Sequence, residues 1–168
     1  IELELSAQER TLYDEVTQFV RHTYQRQLGK GSVFSLLTLQ REICSSREAA
    51  YMTLNKMLQQ CAPSSDTAHE IERLIEHIKE IPVHSKAEKM VELIKNIDDK
   101  VIVFTEYKAT QDYLQFVLYQ NGITSVPFRG GFRRNKKDWM AELFRQKAQV
   151  LIATEAGGEG INLQFCQH

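Results

Sequence analysis

Over the first eighty residues the apolar positions recur at helical spacing. Leu12, Val16, Phe19 and Val20 form one stripe. Ahead of it, Ser6 and Glu9 make a capping box, in which each side chain satisfies a free amide of the other's turn. This helix is expected to run out by Gly29 and Gly31, since glycine readily takes the left-handed conformation that ends helices. A second helix is predicted over residues 34–43. A third begins at a Ser45/Glu48 capping box and carries Tyr51, Leu54 and Leu58. Residues 61–65, Cys-Ala-Pro-Ser-Ser, read as a linker. A fourth helix, over 67–80, sets Ile71, Leu74, Ile75 and Ile78 on one face, and Pro82 stops it.

Beyond Pro82 the rhythm alternates. Ser85 and Glu88 suggest another capping box, followed by Met90, Val91, Ile94 and Ile97 on one helical face. Then come VIVFT (101–105), a helix over 109–120 stopped by Asn121-Gly122, ITSVPF (123–128), a helix over 136–144, and QVLIAT (149–154). The three strand starts lie 22 and 26 residues apart (101 to 123, 123 to 149), which is the spacing of βαβ units with right-handed crossovers. An unbroken apolar run such as VIVFT is expected where both faces of a parallel sheet are covered. The fold class is therefore α/β from Pro82 onward, with a mainly helical region before it. Residues 1–82 are expected to form that region and 83–168 the α/β domain. Three parallel strands leave a hydrophobic edge bare, so something is expected to be missing downstream.

Composition adds limits rather than chemistry. With 168 residues, 42% hydrophobic and 26% charged, the chain suits an ordinary soluble core. No apolar run reaches the ~20 residues of a bilayer span, so no membrane partner is expected. The opening IELELSAQER has neither a basic start nor a small-residue cleavage site, so no secretory signal is read and a cytoplasmic location is expected. Cys44, Cys61 and Cys166 lie outside metal-ligand spacing of one another, so they read as reduced thiols and no metal site is expected. The net charge of −1 gives no global field for a polyanion, yet Arg129, Arg133, Arg134, Lys136 and Lys137 fall within nine positions. Alone, such a run reads as a solvated helix start.

Ligands of open α/β sheets collect at the carboxyl ends of the strands. Those ends are Thr105-Glu106-Tyr107, Phe128-Arg129-Gly130-Gly131 and Thr154 through Gly160. The third enters A-G-G-E-G-I-N-L, whose bare amides approach phosphate oxygens closely; a plain glycine-rich turn is the alternative. It is not a dinucleotide fingerprint, because Leu163 stands where the third glycine belongs and the strand before it is not the first. The chain also has no G-x-x-x-x-G-K-[ST] loop and no D-E-x-H or D-E-x-D string, so it is not expected to bind and split ATP by itself.

VLIATEAGGEGINLQ resembles motif V of the SWI/SNF-type helicase-like ATPases, and KVIVFTEYKATQDYL looks like their motif IV strand and helix. FRGGFRRNKKDWMAELF is similar to the next segment of that family, with Gly130, Lys137 and Phe144 at its marked positions. The family has arginine at the middle one, so Lys137 departs from it and any bidentate contact there is in question. IELELSAQERTLYDEV, LLTLQREICSS and HSKAEKMVELI resemble the segments leading into the second lobe, particularly in bacterial members. The resemblance thus spans essentially the whole chain and stops before motif VI.

It implies an incomplete C-terminal RecA-like lobe of an ATP-dependent double-stranded DNA translocase. ATP and Mg²⁺ belong to the full-length protein, and the isolated chain is expected to be inactive, with no catalytic residue of its own. Asn162 would face the ATP cleft with Gly160 serving its turn. Thr105, Arg129, Gly130, Thr154, Gly157 and Gly158 would meet the nucleic-acid backbone. The implied partners are duplex DNA, the N-terminal RecA-like lobe of the same polypeptide, and a DNA-bound cargo such as RNA polymerase or a nucleosome; a bacterial member would be nucleoid-associated. Two other readings stay open. One is an RNA helicase lobe of the same superfamily, which would carry A-R-G-[IL]-D in place of A-G-G-E-G-I-N. The other is a non-catalytic interaction module built on the N-terminal helices.

Overall fold

A computed structural model describes residues 3–26, 33–82, 84–154 and 166. The chain divides into two compact units, residues 1–86 and 87–168.

The first unit holds α1 (Ala7–Arg26), α2 (Val33–Ser45), α3 (Arg47–Gln60) and α4 (Asp66–Glu80). Each helix packs on the next, and α4 returns to α1, so the four close around one core. Leu12, Val16 and Phe19 meet Leu36 and Leu39, Ala50 and Leu54, and Ile71, Leu74, Ile75 and Ile78 there, all buried. Burial of each large aliphatic side chain contributes about 1.5–3 kcal/mol, which is how helices of modest intrinsic propensity are held. The Ser6/Glu9 capping box forms in both directions, at 2.9 Å and 3.2 Å.

Two other caps differ from the sequence pattern. Helix α2 runs two residues past Ile43, because the Ser46 amide still reaches the Glu42 carbonyl at 2.8 Å. Ser46 rather than Ser45 is then the N-cap of α3, and its hydroxyl accepts from the Ala49 amide at 3.1 Å. Glu48, freed from the box, pairs with Arg47 at 2.9 Å. Ser85 does not face Glu88 as its box partner. Its amide donates to Glu9 at 2.8 Å, and its hydroxyl donates to the same carboxylate.

Helix α5 (Ser85–Lys95) starts on the last two residues of the first unit, and the second unit carries the rest of it with β1 (Val101–Thr105), α6 (Lys108–Gln120), β2 (Ser125–Phe128), α7 (Arg134–Gln146) and β3 (Val150–Thr154). The sheet is parallel with order β1-β3-β2. Along β3, Val150 and Ile152 pack with Val91, Ile94 and Leu118 on one face, while Leu151 and Ala153 pack with Phe144 and Phe128 on the other. Helices therefore cover both faces of β3. The expectation of two covered faces holds for this strand and not for β1, which lies at an edge and leaves Phe104 65% exposed. Helix α6 ends as its sequence suggests: Gly122 takes φ +71°, and the Ile123 amide reaches back to the Leu118 carbonyl at 2.9 Å. Among the described residues, no helix is long and apolar enough to cross a membrane.

Candidate functional site

The parallel register aligns the strand ends. Thr105 stands beside Thr154, and Phe128 beside Ala153, so the residues that follow β2 emerge next to the end of β3. Arg129 and Gly130 open that segment. Its turn closes with the Phe132 amide donating to the Arg129 carbonyl at 3.4 Å, and Gly131 sits at the third position with φ +81°. A side chain there would strain the backbone, which is why a glycine belongs. The Gly130 amide donates to the Thr154 hydroxyl at 3.4 Å, joining the two strand ends.

Four sequence-predicted residues thus gather at this end of the sheet: Thr105, Arg129, Gly130 and Thr154. Their settings differ. Gly130 is exposed and Thr154 half-buried. Thr105 is only 9% exposed, and its hydroxyl meets no hydrogen-bond partner among the described residues. It lies beneath the rim, where an unsatisfied hydroxyl costs about 1–3 kcal/mol. Arg129 is held from below and from the side: its Nε donates to Gln111, and its outer nitrogen pairs with Asp112. Gly157, Gly158, Gly160 and Asn162 fall outside the described residues, immediately after β3.

Gln111 was not singled out by sequence. It is 0% exposed, and its amide nitrogen donates to the carbonyls of Phe128 (3.1 Å) and Ile152 (2.6 Å). Those carbonyls belong to neighbouring strands, so one side chain on α6 ties β2 to β3 just below the rim. The available signal was its position in the stripe Gln111, Leu114, Leu118, a polar residue where helical spacing calls for an apolar one.

The electrostatics favour an anion. Helices α6 and α7 follow β1 and β2, so both begin at this end of the sheet. Neither has a side-chain cap at its N-cap residue, Tyr107 or Arg133, and neither has an acidic residue in its first turn. The positive end of each helix dipole is therefore offset by no acidic residue in the first turn. Arg133, Arg134 and Lys136 are exposed around the start of α7. Lys136 lies 4.2 Å from the centroid of the Phe132 ring, and Lys137 lies 5.6 Å from that of Phe128. Lys137 packs along an aromatic face, a role lysine fills without arginine's bidentate fork.

Residues 85–168, half of the chain, match the family model described as the helicase conserved C-terminal domain. The chain belongs to that family. Over 171 residues it is 58% identical to the uncharacterized ATP-dependent helicase YqhH of Bacillus subtilis (strain 168), covering 100% of this chain and 30% of YqhH. The chain therefore spans less than a third of that relative. In three dimensions it is similar to the Hef helicase domain of Pyrococcus furiosus, with TM-score 0.65, 17% identity, and 94% of this chain against 45% of that one. It is also similar to the SWI2/SNF2 ATPase C-terminal domain of Sulfolobus solfataricus, with TM-score 0.57, 16% identity, and 99% against 67%. At such identities the likeness shows the fold alone. That fold is the RecA-like one of the helicase C-terminal domain, so the α/β class read from the strand spacing stands.

Proposed function

We propose that this helicase C-terminal domain works as the second lobe of an ATP-dependent translocase of the SWI/SNF type that moves on double-stranded DNA. The convergence of Thr154, Gly130 and Arg129 on one rim, beside two helix starts with no acidic residue in the first turn, is the observation that carries the reading. Hydroxyls, main-chain amides and an arginine grip phosphates without reading bases, which a motor travelling over arbitrary sequence requires. The motif-V-like string running on from Thr154 supports the subtype.

In this reading ATP and Mg²⁺ sit between this domain and an N-terminal RecA-like lobe of the same polypeptide, with Gly160 and Asn162 on this domain's side. The described residues hold no group of three or more His, Cys, Asp or Glu placed for a metal ion. Phosphate-loop and carboxylate chemistry is assigned to the other lobe, and no hydrolytic step is routed through the present residues. Their work is mechanical: to hold the DNA backbone at Thr154, Gly130, Arg129, Gly157 and Gly158, and to release it when the lobes part. Thr105, in register with Thr154 at the end of β1, lies beside that contact. The cargo would be a protein bound to DNA, such as RNA polymerase or a nucleosome, in the cytoplasm or on the nucleoid.

Triplex displacement by the full-length polypeptide tests the proposal. ATP-dependent release of a third strand from duplex DNA, without separation of the duplex, is the expected result. Unwinding of RNA duplexes with no displacement from DNA would instead favour an RNA helicase, and neither activity would favour an interaction module.

A further inference from the structure

Gln111 and Asp112 are adjacent on α6 and hold the same guanidinium from two directions, one buried and one open to solvent. We propose that Gln111 is a positioning residue that keeps Arg129 poised at the rim, and that Asp112 is an exchangeable counter-ion which a DNA backbone phosphate displaces. The inference rests on the rim being the nucleic-acid contact argued above.

The orientation of Gln111 is decided by its own bonds. An amide nitrogen has two N–H groups, and both are spent, on the Phe128 and Ile152 carbonyls. The side-chain oxygen is thereby turned toward Arg129 and accepts from its Nε. Any flip of the amide would set oxygen against two carbonyls and nitrogen against a cation. Because Gln111 is buried and ties two strand ends, the anchor moves only if the sheet does. Arg129 is thus held by its inner edge at a fixed height above β2.

The outer edge is held differently. Asp112 leaves 51% of its side chain in solvent, whereas Arg129 leaves 21%. An ion pair with one partner this open is weak and exchangeable. A phosphodiester brings the same single negative charge and two non-bridging oxygens that a guanidinium fork can engage, and its binding releases condensed counter-ions as well. Among the described residues, Gln111 and Asp112 occupy two of the five N–H groups that an arginine carries, so the side chain keeps donors for another acceptor. Exchange at the outer edge leaves the inner anchor intact, which spares the arginine the entropy of being ordered at each step.

The test is duplex-DNA binding by the full-length polypeptide, followed by anisotropy over a salt series. Asp112→Asn is expected to tighten binding about 2–5-fold at low salt, because the competing carboxylate is gone. Gln111→Met is expected to weaken binding as much as Arg129→Ala does. Each should lower the slope of log K against log salt by about 0.9, the signature of one phosphate contact, and the double variant should lose nothing more. A purely structural role for Gln111 would lower the melting temperature and leave that slope alone. An unchanged slope in folded Gln111→Met overturns the positioning role. Should that variant fail to fold, Asp112→Asn decides, since unchanged or weaker binding there removes the exchange. Wild-type protein that does not bind duplex would instead remove the rim reading itself.

Discussion

The amide of Gly130 donates to the hydroxyl of Thr154 across 3.4 Å, joining the loop after β2 to the last residue of β3. As the acceptor in that bond, the hydroxyl keeps its own proton to offer another acceptor. Thr154→Val preserves shape and removes both. It should cost about 0.5–1.5 kcal/mol in stability by chemical denaturation. In the full-length protein it should weaken duplex binding by roughly 3–10-fold, with Thr154→Ser restoring most of the loss.

Gly131 holds φ +81°, and a Cβ added there would meet nothing within 4 Å. The cost of Gly131→Ala is therefore backbone strain without a clash, about 1 kcal/mol of unfolding free energy by urea titration. Because the turn carries Arg129 and Gly130, the same variant should also lower duplex affinity.

Leu54 is fully buried in the four-helix core of the first unit. Leu54→Ala should destabilise that unit by about 2–5 kcal/mol, read as an earlier loss of helical signal on heating. A loss below about 1 kcal/mol would mean that the core is not packed as described.

Two groups near the start of α1 give a pH dependence with a definite sign. Burial pushes the His84 imidazole below its ordinary value, with nearby Glu48 and Glu9 opposing. The folded state thus favours the neutral ring, and the stability held by His84 is present above about pH 6.5 and lost as acidification passes its lowered value. Burial raises the Glu9 carboxyl, but its bonds from Ser85 and Ser6 outweigh that and leave it depressed. Its contribution is present above about pH 4.3 and vanishes as pH falls through the folded value. Melting temperatures should fall first below 6.5, less so in His84→Asn. Glu9→Gln should lower the melting temperature at pH 7 and make no difference at acid pH.

Much of this was legible in the chain itself. The βα alternation, the Ser6/Glu9 box, the stop at Asn121-Gly122 and the convergence of Arg129, Gly130 and Thr154 at strand ends follow from local pattern and from how parallel sheets are wound. What was hidden depends on distance or on order. Glu9 and Ser85 are separated by 76 positions, and no local rule pairs them. Ser45 and Ser46 are equally good caps by type, and the length of α2 chose between them. The exposure of Phe104 follows from β3, not β1, taking the centre of the sheet. Gln111 looked like one more polar helical residue until two strand-end carbonyls came within reach.

ATP hydrolysis by the full-length polypeptide, measured with and without duplex DNA, bears most directly on the claim that this rim engages DNA on behalf of a motor. The account predicts several-fold stimulation by duplex of any sequence, its loss in Thr154→Val combined with Arg129→Ala, and negligible turnover by residues 1–168 alone. Equal rates with and without DNA, or robust DNA-stimulated turnover by the isolated chain, would contradict it.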